Sequence, residues 1–350
     1  MVTLNSRGLR TAVTVRDVRL RRAPRAVARS LLPSLAACAL LLSGCGGQQS
    51  ALNTGGPSAH RISLLWWGLF GMAVVVWTVV VFLLVWALVL RRGPNVTPRG
   101  GGEKTVVIAG IIIPTLILLG TFAGAMGVLN AQRNPPHPTV LTITVTGHDW
   151  WWEVRYPKFV TANEIHIPVG KAVHVNLRTA DVIHSFWVPS LTSKTDLIPN
   201  KDNSTWLQAD KAGTYRGQCA EFCGLEHAGM AFLVVAQPQD QFDQWMADQS
   251  RPAPAPDGAL AARGEQVIST QSCSSCHTVR GTSADGKVGP DLTHFGSRKE
   301  LGAGVAPNNA GWLGGWISNS QTIKPGNKMP PQPLAPDDLR AVIAYLEGLK

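Results

Sequence analysis

Cys219-Ala-Glu221-Phe-Cys223-Gly-Leu-Glu-His227-Ala-Gly-Met230 decides how this chain is read. Two thiols four residues apart, an imidazole four further on and a thioether three beyond make a soft donor set suited to copper. A second imidazole waits upstream in Asp181-Val-Ile-His184-Ser. The flanking runs Thr214–Gln218 and Ala231–Ala236 read as strands, which places the cluster on a loop between them. Thiolates this close can bridge two metal ions. Two copper ions sharing the sulfurs of Cys219 and Cys223 then need one imidazole each, from His184 and His227. Met230 supplies a weak axial ligand to one ion, and the backbone carbonyl of Glu221 supplies the other. A disulfide would leave His227 and Met230 unexplained, and structural zinc rarely uses methionine.

A second cluster follows at Cys273-Ser-Ser-Cys276-His277, the attachment signature of a c-type haem. Its cysteines can bond the haem vinyl groups, and His277 can bind the iron. Met329, in Asn327-Lys-Met329-Pro-Pro, is the only methionine after position 246 and is the first candidate for the sixth ligand; His294 is the rival. Trp312 and Trp316, four apart, fit one helix face turned toward a haem, or an ordinary core.

Charge is distributed unevenly. The net +10 resolves into +12 over residues 1–134, −4 over 135–257 and +2 over 258–350. The excess is arginine ahead of an apolar run, an export-signal layout rather than a nucleic-acid surface, and nucleic-acid binding is rejected. Residues 1–44 are read as a signal. Leu42-Ser-Gly-Cys45 resembles a lipobox, which makes Cys45 a lipidation candidate; an uncleaved anchor is the alternative. After an extracytoplasmic segment at 45–61, the stretches 62–90 and 105–130 are uncharged and long enough to span a bilayer. The loop at 91–104 carries four basic residues against one acid, Glu103, and so is placed in the cytoplasm. Glu103 itself reads as a solvated loop acid.

Alternating β-branched runs at Val140–Thr146, Glu164–Pro168 and Ala172–Leu177 predict a β-barrel or sandwich over 135–249. A Pro/Ala linker at 250–257 leads to a small, mainly helical domain at 258–350.

On these residues the chain resembles subunit II of the haem–copper cytochrome c oxidases. The family pattern Cys-x-Glu-x-Cys-x3-His-x2-Met is matched at every ligand position, and Gly147-His148-Asp149-Trp150-Trp-Trp152 and Lys194-Thr-Asp196-Leu-Ile-Pro199 also match. The resemblance covers the first span to about residue 248. With the haem motif behind it, the whole is similar to the caa type. It implies a two-helix transmembrane hairpin, a cupredoxin-like β-barrel with a dinuclear copper centre (CuA) and an all-α class I cytochrome c domain. It also implies a place in the bacterial plasma membrane with both domains extracytoplasmic. Implied partners are subunit I, subunit III and a donor that is cytochrome c or a membrane cytochrome. The Glu221 carboxylate is implied to bind magnesium at the contact with subunit I, and Trp150 to be the electron entry point. Gly289-Pro290-Asp-Leu resembles the cytochrome c loop whose proline carbonyl orients the axial histidine. The activity implied is cytochrome c oxidase, exercised by a complex that reduces oxygen and translocates protons, with this chain transferring electrons only. A quinol oxidase subunit would lack the copper ligands, a nitrous oxide reductase needs far more than nine histidines, and a copper-delivery lipoprotein would not carry the haem signature.

Overall fold

The computed structural model describes residues 47, 49–90 and 102–350; the signal residues, Cys38, Cys45 and most of the 91–104 loop lie outside the described residues. Helix α1 spans Pro57–Leu90. It begins five residues ahead of the uncharged run because its polar first turns find partners on the returning helix. Ser58 hydrogen-bonds to Gln132, and Arg61 donates to the Ala131 carbonyl at 3.2 Å. The return consists of α2 (Gly102–Val107), a π-helical turn (Ile108–Ile112) and α3 (Ile113–Arg133). Pro114 stands just inside α3. Proline has no N–H to donate and crowds the preceding turn, and the wider π turn takes up that misfit. Both arms are long and apolar enough to cross a membrane, and their apolar side chains face outward rather than into a protein core.

Ten strands follow. One sheet has the order β3 (Val160–Ala162), β2 (Trp151–Arg155), β1 (Leu141–His148), β5 (Val173–Thr179), β8 (Asn203–Leu207). The other runs β4 (Glu164–Pro168), β10 (Ala231–Gln237), β9 (Gly213–Cys219), β6 (His184–Trp187), β7 (Thr195–Leu197). The parallel pairings β1 with β5 and β10 with β4 mark the crossovers of a cupredoxin-like Greek-key sandwich. β1 buries every second residue, as a half-exposed strand should. β4 and β10 are almost wholly buried, and the closing helix α4 (Gln239–Gln249) lays Trp245 flat on the His166 ring of β4 at 4.0 Å. The core beneath the copper loop is aromatic. Trp152 meets Phe232 edge-on at 5.1 Å, and Phe186 stacks on Phe232 at 4.7 Å. The sandwich sits on the base of the hairpin through Trp206, whose indole N–H donates to the Gln132 carbonyl at 2.8 Å.

The last domain comprises α5 (Gly258–Thr270), the short α6 (Cys273–Cys276), α7 (Ala310–Asn319) and α8 (Pro336–Gly348). It also has a two-strand ribbon, β11 (Glu300–Leu301) with β12 (Ala306–Pro307), too short to leave a periodic signal in the sequence. α8 opens with Asp337 and Asp338, acids where the helix dipole favours them. α5 crosses α8 so closely at Gly264 that a Cβ there would overlap the Ala341 carbonyl. Gly264→Ala is therefore expected to wedge the two helices apart and cost about 1–3 kcal/mol. Thermal unfolding of the full chain followed at the haem band checks this, with the copper domain as the unaffected control.

Candidate copper and haem sites

β9 ends at Cys219 and β10 starts at Ala231, so the copper loop is the connection between two paired strands. Backbone bonds draw it shut: the Cys219 amide donates to the Met230 carbonyl at 2.9 Å, and the Ala220 amide to that of Ser185 on β6 at 3.0 Å. The second bond brings His184 to the cluster. All six expected donors converge. The Cys219 and Cys223 sulfurs are 3.7 Å apart. His184 Nδ1 lies 3.9 Å from Cys219 Sγ, and His227 Nδ1 lies 3.7 Å from Cys223 Sγ. Met230 Sδ is 3.8 Å from Cys223 Sγ, and the Glu221 carbonyl is 3.2 Å from Cys219 Sγ. His184, Cys219 and Met230 are almost fully buried.

The two thiols share protons unequally. The hydrogen bond from Cys223 holds Cys219 far below an ordinary thiol, and the same contact, with burial, pushes Cys223 up. Two thiolates at this distance repel strongly, and cations bound between them would relieve that repulsion. The donor set and its spacing thus fit a pair of copper ions.

Asp181 completes the site. One carboxylate oxygen lies 2.7 Å from His184 Nε2; a carboxylate only accepts, so Nε2 carries the proton and the Nδ1 lone pair faces the sulfurs. Burial lowers the His184 pKa, but its bonds to Cys219 and Asp181 outweigh that and leave it raised. The sequence signal for Asp181 is its place three residues before a ligand histidine, a spacing that does not by itself mark an orienting group. The Glu221 carboxylate, expected on magnesium, accepts from Lys194 Nζ at 2.6 Å, and Lys194 also lies 3.4 Å from Asp196.

The haem motif opens onto a cavity of about 630 Å³ lined by Cys273, Cys276, His277, Pro290, Trp316 and Met329, among others. His277 Nδ1 donates to the Pro290 carbonyl at 2.8 Å, which leaves Nε2 free to bind a metal, and burial keeps the imidazole below its usual pKa. Met329 is fixed by its own backbone: its carbonyl accepts from Ser320 and Gln321, and its amide donates to Asn327. His294 does not face the cavity; its ring nitrogens lie 3.1 Å from the Lys350 and Arg251 carbonyls. Trp316 lines the cavity, whereas Trp312 is 44% exposed and does not, which selects one tryptophan of the expected pair. The wall also carries Arg298, buried with an unpartnered Nε, and the unpartnered His148 Nε2 and Asp149 Oδ1. Haem, with an apolar macrocycle and two carboxylates, fits the apolar lining and the Arg298 donor, whereas Asp149 Oδ1, an acceptor, offers nothing to a carboxylate. Arg298 carried no local signal in the sequence.

The cavity is not closed by the haem domain alone. His148, Asp149, Trp150 and Trp151, all from the sandwich, form part of its wall. Of three successive tryptophans, Trp152 fills the sandwich core, Trp151 stacks beside His148 at 4.4 Å, and Trp150 lies between the two sites. The Trp150 indole N–H donates to the Cys223 carbonyl at 2.8 Å.

Residues 158–237 match the family described as cytochrome C oxidase subunit II, periplasmic domain, and residues 261–350 match cytochrome c. The chain is 36% identical over 327 residues to cytochrome c oxidase subunit 2 of Alkalihalophilus pseudofirmus, covering 89% of this chain and 94% of that one. It is 31% identical over 348 residues to the Bacillus subtilis protein of the same name, covering 91% and 97%. The periplasmic domain of subunit II of Bradyrhizobium japonicum cytochrome oxidase is 34% identical, covering 32% of this chain and 95% of that one, with a TM-score of 0.31. The chain belongs to the cytochrome c oxidase subunit 2 family, as a subunit of a haem–copper terminal oxidase with a cytochrome c domain fused behind its copper domain. The copper domain implies a CuA centre, and the cytochrome c domain a c-type haem.

Removing the Asp181 carboxylate tests the orienting role. Asp181→Ala should weaken copper binding about 10–100-fold, measured by competition with a copper chelator, while Asp181→Asn, which keeps an acceptor oxygen, should lose less.

Proposed function

We propose that this chain is the electron-entry subunit of its oxidase. In this reading His184, Cys219, Cys223, His227, Met230 and the Glu221 carbonyl hold two copper ions, and His277 and Met329 hold a haem attached through Cys273 and Cys276. When bound, the two groups supply one-electron carriers that neither make nor break bonds. The residues do the rest: Pro290 orients His277, Asp181 orients His184, and the buried walls exclude water. The carrying observation is that Trp150 borders the haem cavity while its indole is bonded to the carbonyl of a copper ligand. That arrangement supports transfer from the haem region to the copper loop by way of Trp150.

The donor is taken to be a cytochrome c or a membrane cytochrome, and the acceptor subunit I, with subunit III beside it. Exposed Val182, Ile183 and Phe222, each within two residues of a copper ligand, support a protein partner beside the copper site. A magnesium ion at that contact would need ligands from subunit I, and no step depends on it here. Oxygen reduction and proton translocation belong to the complex. The two apolar helices support a hairpin in the bacterial plasma membrane with both domains extracytoplasmic, and lipidation at Cys45 remains part of the same reading.

The chain should co-purify with a many-spanning haem subunit, and the solubilised complex should show a low-spin haem that loses its methionine–iron charge-transfer band in Met329→Ala. The haem midpoint potential should also fall in that variant, because methionine ligation raises it. Absence of that band from the wild-type protein, with a low-spin spectrum that survives Met329→Ala and is lost in His294→Ala, would assign the sixth ligand to the rival instead.

A further inference from the structure

Lys324 is among the largest fully buried side chains of the described residues; it lines the haem cavity but has no role in either site as described above. It lies in the haem domain, on the turn after α7 that also carries Met329. Its Nζ makes three bonds of 2.7 Å, to the carbonyls of Trp150 and Gly229 in the copper domain and of Gly302 in the haem domain. An ammonium has three donors, and all three are used. Burying a charge is costly unless it is fully bonded, so a lysine placed here is tied to one mutual position of the two domains.

The surroundings agree with that position. The Ala231 amide, next to Met230, donates to the Ala303 carbonyl across the boundary at 2.9 Å. The Lys299 amide donates to the Glu164 carboxylate at 2.6 Å, and Arg216 pairs with Glu300 at 3.2 Å. Lys328 lies 3.5 Å from both Asp149 and Asp181. At Gly326 the chain passes so close that a Cβ would lie 2.9 Å from Leu225 and 3.7 Å from the Trp150 ring. Trp150 is therefore fixed twice: its indole by the copper loop and its carbonyl by Lys324.

Resting on the function proposed above, we propose that Lys324 is a positioning residue for internal electron transfer: it locks the haem domain onto the Trp150 face of the copper domain. The face is thereby occupied by the chain itself, so an outside donor delivers electrons to the haem and not to Trp150. With both groups bound, the step that Lys324 would serve is transfer of one electron, lost by ferrous haem and gained by the copper pair, with no bond made or broken.

The test uses the full chain in its complex and compares wild type with Lys324→Met, which keeps the stem and removes the charge. Amide hydrogen exchange at Ala231 reads docking without involving either cofactor. We expect it to accelerate about tenfold or more in the variant, while exchange within α5 and α8 stays unchanged. Haem-to-copper transfer, followed after rapid reduction of the haem, should slow by a similar factor, with reduction of the haem by external cytochrome c unaffected. A general folding defect would not produce that split.

Should Lys324→Met fail to fold, Glu300→Arg opens the same boundary from its rim, and Arg216→Glu with Glu300→Arg should close it again. Unchanged Ala231 exchange in both Lys324→Met and Glu300→Arg would overturn the lock. So would unchanged haem-to-copper transfer in a variant whose Ala231 amide has lost protection. Normal docking in a chain that binds no copper would instead contradict the function proposed above and leave the lock standing.

Discussion

Two sulfurs held 3.7 Å apart at the mouth of a β-sandwich are the constraint on which the rest of this structure turns. They are brought there by strand pairing: β9 delivers Cys219, the loop returns Cys223, and β10 carries the chain away. Left to themselves, two thiolates at that separation would repel, and one holds its proton at the other's expense. Bound cations between them remove the conflict. The buried imidazole of His184, the half-buried one of His227 and the thioether of Met230 enclose the position such cations would take. The aromatic core of Trp152, Phe186 and Phe232 lies directly beneath, so the ligand frame rests on closely packed rings.

The second dependence is mutual. The haem cavity borrows a wall from the copper domain, and the copper loop is capped by the haem domain. The proline-rich tether between them keeps the two in permanent proximity, which raises their effective concentration and makes a modest polar interface sufficient. The charge split along the sequence, negative on the copper domain and positive on the haem domain, has its local counterpart in Lys328 with Asp149 and Asp181, whereas the pair Arg216 with Glu300 runs the other way.

The copper donors were legible because five of the six fall within twelve residues and their side chains together suit one metal chemistry. The haem motif was legible for the same reason. Strand β4 followed from alternation to the residue, the helical character of the last domain was expected as a whole, and the two long apolar helices followed from apolar length. What escaped notice depends on long-range contact. Lys324 meets Trp150 across 174 positions, and an isolated lysine in a loop carries no sign of burial. Arg298 was hidden likewise, and the salt bridge from Lys194 to the Glu221 carboxylate joins residues 27 apart. Trp312 and Trp316 were equivalent as a pattern, and only the packing of α7 distinguishes the one that lines the cavity from the one that faces out.

The central claim is that the copper and haem sites form one docked unit joined through Trp150. Pulsed dipolar paramagnetic resonance between the ferric haem and the oxidised copper centre, on the full chain in its complex, tests it most directly. One narrow metal-to-metal distance, unchanged between low and moderate salt, is the predicted result. A broad distribution, or a copper signal confined to a single nucleus, would contradict it.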